Sequence, residues 1–155
     1  MLFRSVFLLA LILLATLTAN AQLVRGVEAV EMTVQDMDRS VDFFSRVLTF
    51  EKVLDVEVSG EEFEHLTGVF GVRIRQVRMK LGEEQVILSE FLAPKGRSFP
   101  AEFKSNDRAF QHIAIIVSDM DKAYARLRQN KVQHASTGPQ TLPEWNKNAD
   151  RKSVV

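Results

Sequence analysis

The chain has 155 residues, enough for one domain with a real core, and its 20 basic side chains match its 20 acidic ones. That balance leaves no electrostatic footprint for nucleic acid or an anionic membrane, so neither is expected as a partner. It contains no cysteine, which removes disulfide frameworks and thiolate chemistry and leaves packing to hold the fold.

Residues 1–21 predict a cleavable secretory signal. A single basic residue, Arg4, precedes an apolar run over 6–17, about 12 residues, whereas spanning the hydrocarbon core takes about 20. Ala19-Asn20-Ala21 then supplies the small-x-small pattern that fits a signal peptidase, and Gln22 begins the mature chain. The protein is therefore expected to be exported, to the periplasm or beyond the cell, and to meet a membrane only during export.

Residues 27–34 are apolar and β-branched enough for a strand. Asp36 can accept backbone N–H bonds at the start of a helix, with Asp38 placed where the dipole favours negative charge. Met37, Val41, Phe44 and Leu48 fall at helical spacing and predict one continuous buried stripe. Strands are expected over 51–58, 72–81 and 85–92, with 61–68 a short helix or loop. In the second of these strands Val77, Met79 and Leu81 alternate with Arg78 and Lys80, so Arg73, Arg75, Arg78 and Lys80 read together as its solvated face. Gly82-Glu83-Glu84 turns the chain into the last strand, and the order is β-α-β-β-β.

The pattern then repeats. Val34-Gln35-Asp36-Met37-Asp38-Arg39 recurs as Val117-Ser118-Asp119-Met120-Asp121-Lys122, an offset of 83 residues. The same offset lays 27–34 on 110–117, Met37 on Met120, Val41 on Tyr124 and Phe44 on Leu127, so strand, cap and buried helical face correspond together. Unit one spans about 26–92, a linker with Pro94, Gly96 and Pro100 covers 93–108, a partial unit two covers about 109–136, and a polar tail fills 137–155. Unit two is expected to give a strand over 112–117, a helix over 120–130 and a short strand over 132–136. The tail holds no alternating run for the two further strands that duplication requires. The fold class is α+β, paired βαβββ units with the second incomplete.

Two segments carry a resemblance: Met32-Thr33-Val34-Gln35-Asp36-Met37-Asp38-Arg39-Ser40-Val41-Asp42-Phe43-Phe44, and Phe110-Gln111-His112-Ile113-Ala114-Ile115-Ile116-Val117-Ser118-Asp119-Met120-Asp121. The chain resembles the vicinal oxygen chelate superfamily of glyoxalases, bleomycin-resistance proteins and extradiol dioxygenases. The resemblance implies a sheet-lined cavity for a small molecule and a divalent metal, such as zinc, nickel, manganese or iron, held by His and Glu from the first and last strands of both units. Only His112 falls on such a position. Ala29 and Ile87 occupy two others, and the segment for the last is not found. Glu31 shares strand parity with Ala29 and is the best replacement, whereas Glu90 has the opposite parity to Ile87 and is expected to face away. His112 and Glu31 are therefore the candidate metal ligands. The resemblance assigns no catalytic or substrate-binding residue.

Three readings stay open: a metal-dependent lyase or dioxygenase, a metal-free small-molecule-binding module, and a truncated copy without function. The missing strands also suggest a homodimer.

Overall fold

The computed structural model describes residues 23–100, 102–104, 106–108, 112–134, 136–141 and 152–153. The signal segment 1–21 lies outside the described residues. None of the helices described is long and apolar enough to cross a membrane.

Unit one is a four-stranded sheet with one helix packed on it. The elements run β1 (Val30–Thr33), α1 (Met37–Asp42), a π-helical turn (Phe43–Val47), β2 (Glu51–Ser59), α2 (Glu61–Thr67), β3 (Arg73–Leu81) and β4 (Glu84–Ala93). The spatial order is β1-β4-β3-β2. β1 lies parallel to β4, a pairing that needs a crossover, and α1 with the rest of the unit supplies it. The other two pairings are antiparallel.

Side-chain parity divides the sheet into two faces. Val77, Met79, Val86 and Leu88 are buried together with Met37, Phe44 and Phe50, forming the core under α1. α1 starts where expected: Asp36, in extended conformation, accepts from the Arg39 N–H at 2.9 Å. Its apolar stripe departs from a continuous α-helix. After Asp42 the backbone widens into the π turn, closed by the Leu48 N–H donating to the Phe43 carbonyl at 3.2 Å. The extra residue per turn shifts the buried positions to Met37, Phe44 and Val47 and leaves Val41 and Leu48 half-buried. It also lets Phe43 and Phe44 meet edge-on at 5.8 Å while Phe44 meets Phe50 at 5.2 Å. The ambiguous segment 61–68 forms α2, ended by Gly68 at φ +69°, whose N–H donates to the Glu64 carbonyl.

Among its described residues unit two keeps its helix and shows neither predicted strand. α3 (Met120–Gln129) repeats the first design, with Asp119 accepting from the Lys122 N–H at 3.0 Å. Residues 112–117 alternate as a strand would, Ile113 and Ile115 packing against the core, yet no ladder forms there. A strand exists only through a ladder partner, and among the described residues none pairs with this segment, whereas β1 has β4 beside it. Residues 132–134 and 136 are likewise irregular rather than a strand. The tail, read as polar and without an alternating run long enough for two further strands, holds among its described residues a two-residue ladder, β5 (Gln140–Thr141) against β6 (Lys152–Ser153).

Candidate functional site

The sheet face turned away from α1 carries the polar chemistry. Register fixes which residues share it. Glu31 pairs with Ile87 and Ile87 with Arg78; one step along, Thr33 pairs with Ser89 and Ser89 with Gln76. These residues alternate with the buried core positions and so project to the opposite side.

Glu31, Ser89 and Gln76 form one hydrogen-bonded centre there. The Ser89 hydroxyl donates to Glu31 Oε1, and the Gln76 amide donates to the same oxygen at 3.2 Å and to Ser89 Oγ at 3.3 Å. Ser89 is almost wholly buried, whereas Glu31 is exposed, so the carboxylate faces outward from a fixed base. A buried hydroxyl needs a partner, and the pairing with Glu31 satisfies it while orienting the carboxylate. Half-buried Ile87 floors the row beside this centre.

Glu90 does face away, as parity requires. It pairs with Arg75 on the helix side, accepts from the Met37 N–H at 3.0 Å and from Lys95 Nζ at 2.8 Å. The Lys95 ammonium, helped by the Met37 N–H, holds its carboxyl below the usual glutamate range. The four basic residues of β3 do not share one face. Arg75 turns to the helix side and bridges Asp55 at 2.9 Å and Asp38 at 2.8 Å; its guanidinium lowers the Asp55 carboxyl to about 2. Arg78 lies on the open side instead. Alternation itself separates them, since odd-numbered Arg75 shares the face of Val77 and Met79 while even-numbered Arg78 and Lys80 take the other.

Of the two candidate ligands, Glu31 sits at the heart of the open face. His112 lies exposed in the irregular stretch 112–117, on the side of that segment opposite Ile113 and Ile115. Among the described residues no group of three or more His, Cys, Asp or Glu is placed to hold a metal ion. Open-site catalytic metals take about three protein ligands, and beside Glu31 the positions Ala29 and Ile87 offer none. The described residues thus do not fit a multi-ligand metal centre. Ser89 and Gln76 were missed in the sequence because their significance rests on register with Glu31, across 58 and 45 residues. The available signal was parity: Ser89 and Gln76 lie two residues from Ile87 and Arg78, and hence on the same face.

A βαβββ unit with its helix on one face and a polar centre on the other defines an α+β architecture. The family model of the Glyoxalase/Bleomycin resistance protein/Dioxygenase superfamily matches residues 26–142, and the chain belongs to that superfamily. No curated protein matches it. Among solved structures it is similar to a glyoxalase family protein from Bacillus cereus, with TM-score 0.64 and 22% identity, covering 82% of this chain and 80% of that one. A glyoxylase/bleomycin resistance protein/dioxygenase domain from Frankia sp. has TM-score 0.52 and 21% identity over 77% of this chain and 78% of that one. The fosfomycin resistance protein FosX from Listeria monocytogenes, complexed with Mn(II) and 1S,2S-dihydroxypropylphosphonic acid, has TM-score 0.51 and 17% identity over 79% of each chain. At these identities the likeness is one of fold.

Proposed function

We propose that the protein binds a small oxygen-bearing molecule on the open face of its sheet, with Glu31 as the contact group and Ser89 and Gln76 as its supports. The observation that carries this reading is the hydrogen-bonded centre itself: an exposed carboxylate whose Oε1 is held by two neutral donors on adjacent strands. A carboxylate without a cationic neighbour in that trio accepts hydrogen bonds from a ligand hydroxyl or amine. The same arrangement needs no metal, which suits apolar Ile87 in the adjoining position. Export through residues 1–21 belongs to the proposal, as does a homodimer.

The test is an NMR titration of ¹⁵N-labelled chain with a set of neutral and charged oxygenated fragments. Shifts should centre on the amides of β1 and β4 around Glu31 and Ser89, and Glu31→Gln with Ser89→Ala should abolish them. Shifts confined to α3, or none from any fragment, would overturn the proposal.

A second reading follows from the Mn(II) in the FosX complex. Here Glu31 and His112 would be ligands to a divalent metal, supplying a Lewis acid beside the same face. Metal analysis after incubation with Zn²⁺, Ni²⁺, Mn²⁺ or Fe²⁺ and desalting decides between the two. Near-stoichiometric metal lost in both Glu31→Gln and His112→Ala supports the second, and no retained metal removes it.

A further inference from the structure

The open face carries a positive charge in the same row as Glu31. Glu31 neighbours Ile87, and Ile87 neighbours Arg78, so two strand spacings of about 4.8 Å each separate the carboxylate-bearing and guanidinium-bearing backbones. Ile87 fills the gap between them with apolar surface. The row therefore reads acceptor, apolar floor, cation.

Arg78 is already carrying a carboxylate. Its Nη1 donates to Gln85 Oε1 at 3.1 Å and to Glu28 Oε1 at 3.2 Å. Gln85 lies within β4, but Glu28 precedes β1 in a stretch without regular structure, and its side chain is 80% exposed. Such an ion pair is weak, because water screens it and the long side chain loses freedom in forming it. The Arg78 side chain keeps 32% of its surface exposed. Glu28 thus marks where an anion sits on Arg78 without holding the place firmly. A guanidinium fork suits a carboxylate or phosphonate better than a lone ammonium would, since it can donate two parallel bonds.

We infer that the site takes a small hydroxylated anion: its carboxylate or phosphonate replaces Glu28 on Arg78, its body crosses Ile87, and its hydroxyl donates to Glu31. This rests on the open-face reading above and adds the charge of the ligand. Glu28 then acts as an internal competitor, so the two residues that touch one another make opposite predictions.

The experiment is calorimetric titration of the chain with three probes: 4-hydroxybenzoate, benzoate and methyl 4-hydroxybenzoate. The hydroxy acid should bind tightest, with loss of either group costing about tenfold or more, the usual penalty for leaving a charged or hydrogen-bonding partner unmatched. Arg78→Gln should erase the preference for the acid over its ester. Glu28→Gln, which leaves Arg78 in place, should tighten the acid several-fold and leave the ester unchanged. Equal affinity for acid and ester in the unaltered chain overturns the inference, as does an Arg78→Gln chain that keeps the preference or a failure of all three probes to bind. Ester binding that still shifts the amides around Glu31 and Ser89 keeps the open-face site and removes only the anion.

Discussion

Glu90 Oε2 accepts a hydrogen bond from the backbone N–H of Met37 at 3.0 Å, joining the first residue of α1 to the last strand of its unit across 53 positions. That N–H is one of those a helix start leaves without an internal partner, so the carboxylate caps α1 from the sheet while Asp36 caps it from within the chain. Glu90→Ala should therefore lower stability by about 1–2 kcal/mol at neutral pH in urea denaturation. The Lys95 ammonium and this N–H depress the Glu90 pKa in the folded state, so its contribution is complete above the ordinary glutamate value and is lost as pH falls below that through the lowered folded-state value. The gap between the two proteins should narrow in acid. A gap that is constant from pH 7 to pH 3 would refute this role.

Asp55 and Arg75 tie β2 to β3 on the helix side, with Asp38 of α1 joining the same guanidinium. The Asp55 carboxyl is lowered from 3.8 to about 2, mainly by its hydrogen bond from Arg75. Stability from this pair is present above the ordinary aspartate value and drains away as pH falls from there towards 2. Partial exposure of both side chains trims the Coulomb gain. Asp55→Asn should cost on the order of 1–2 kcal/mol at pH 7 and almost nothing at pH 2, read from thermal melts across that range.

Leu88 and Ile87 are adjacent but point to opposite faces, the first wholly buried and the second half-buried. Leu88→Ala should cost about 3 kcal/mol through the cavity it opens beside Val77 and Met79. Ile87→Ala should cost under about 1 kcal/mol and instead weaken ligand binding. Equal destabilisation by both would show that the open face is part of a second core.

Export gives a prediction independent of the fold. Expressed in a bacterium, the mature protein should begin at Gln22 by N-terminal sequencing, and Ala21→Arg should leave the leader attached. A mature chain that still starts at Met1 would contradict the signal reading.

The helices and strands of unit one were legible because each writes a local period: Val77, Met79 and Leu81 alternate, and Asp36 announces the helix start. Parity alone sent Glu90 to the side away from Ile87. The π turn was not legible, because its cause is the packing of Phe43, Phe44 and Phe50 on one another, and an intact α-helical period fits the same letters. Residues 112–117 have the composition of a strand, but a strand exists only through a neighbour, and composition does not say whether one is present. The site was half legible. Glu31 was reached through its strand parity with Ala29, a position the family resemblance singled out, whereas Ser89 and Gln76 look unremarkable until β1, β4 and β3 are laid side by side. The basic run of β3 misled because Arg75 and Arg78 are three residues apart, so strict alternation in the unbroken register from Ile74 to Leu81 sends them to different faces.

Among the described residues the four residues of β1 pair with one strand, β4, and they carry the carboxylate that the open face is organised around. A strand held along one edge opens at lower free energy than the β3–β4 ladder beside it, so its amides should be among the first of the sheet to exchange with solvent. A ligand bridging Glu31 and Arg78 would connect that loose strand to the rigid middle of the sheet. Binding and local ordering would then be one event, and part of the affinity would be spent in fastening β1 down.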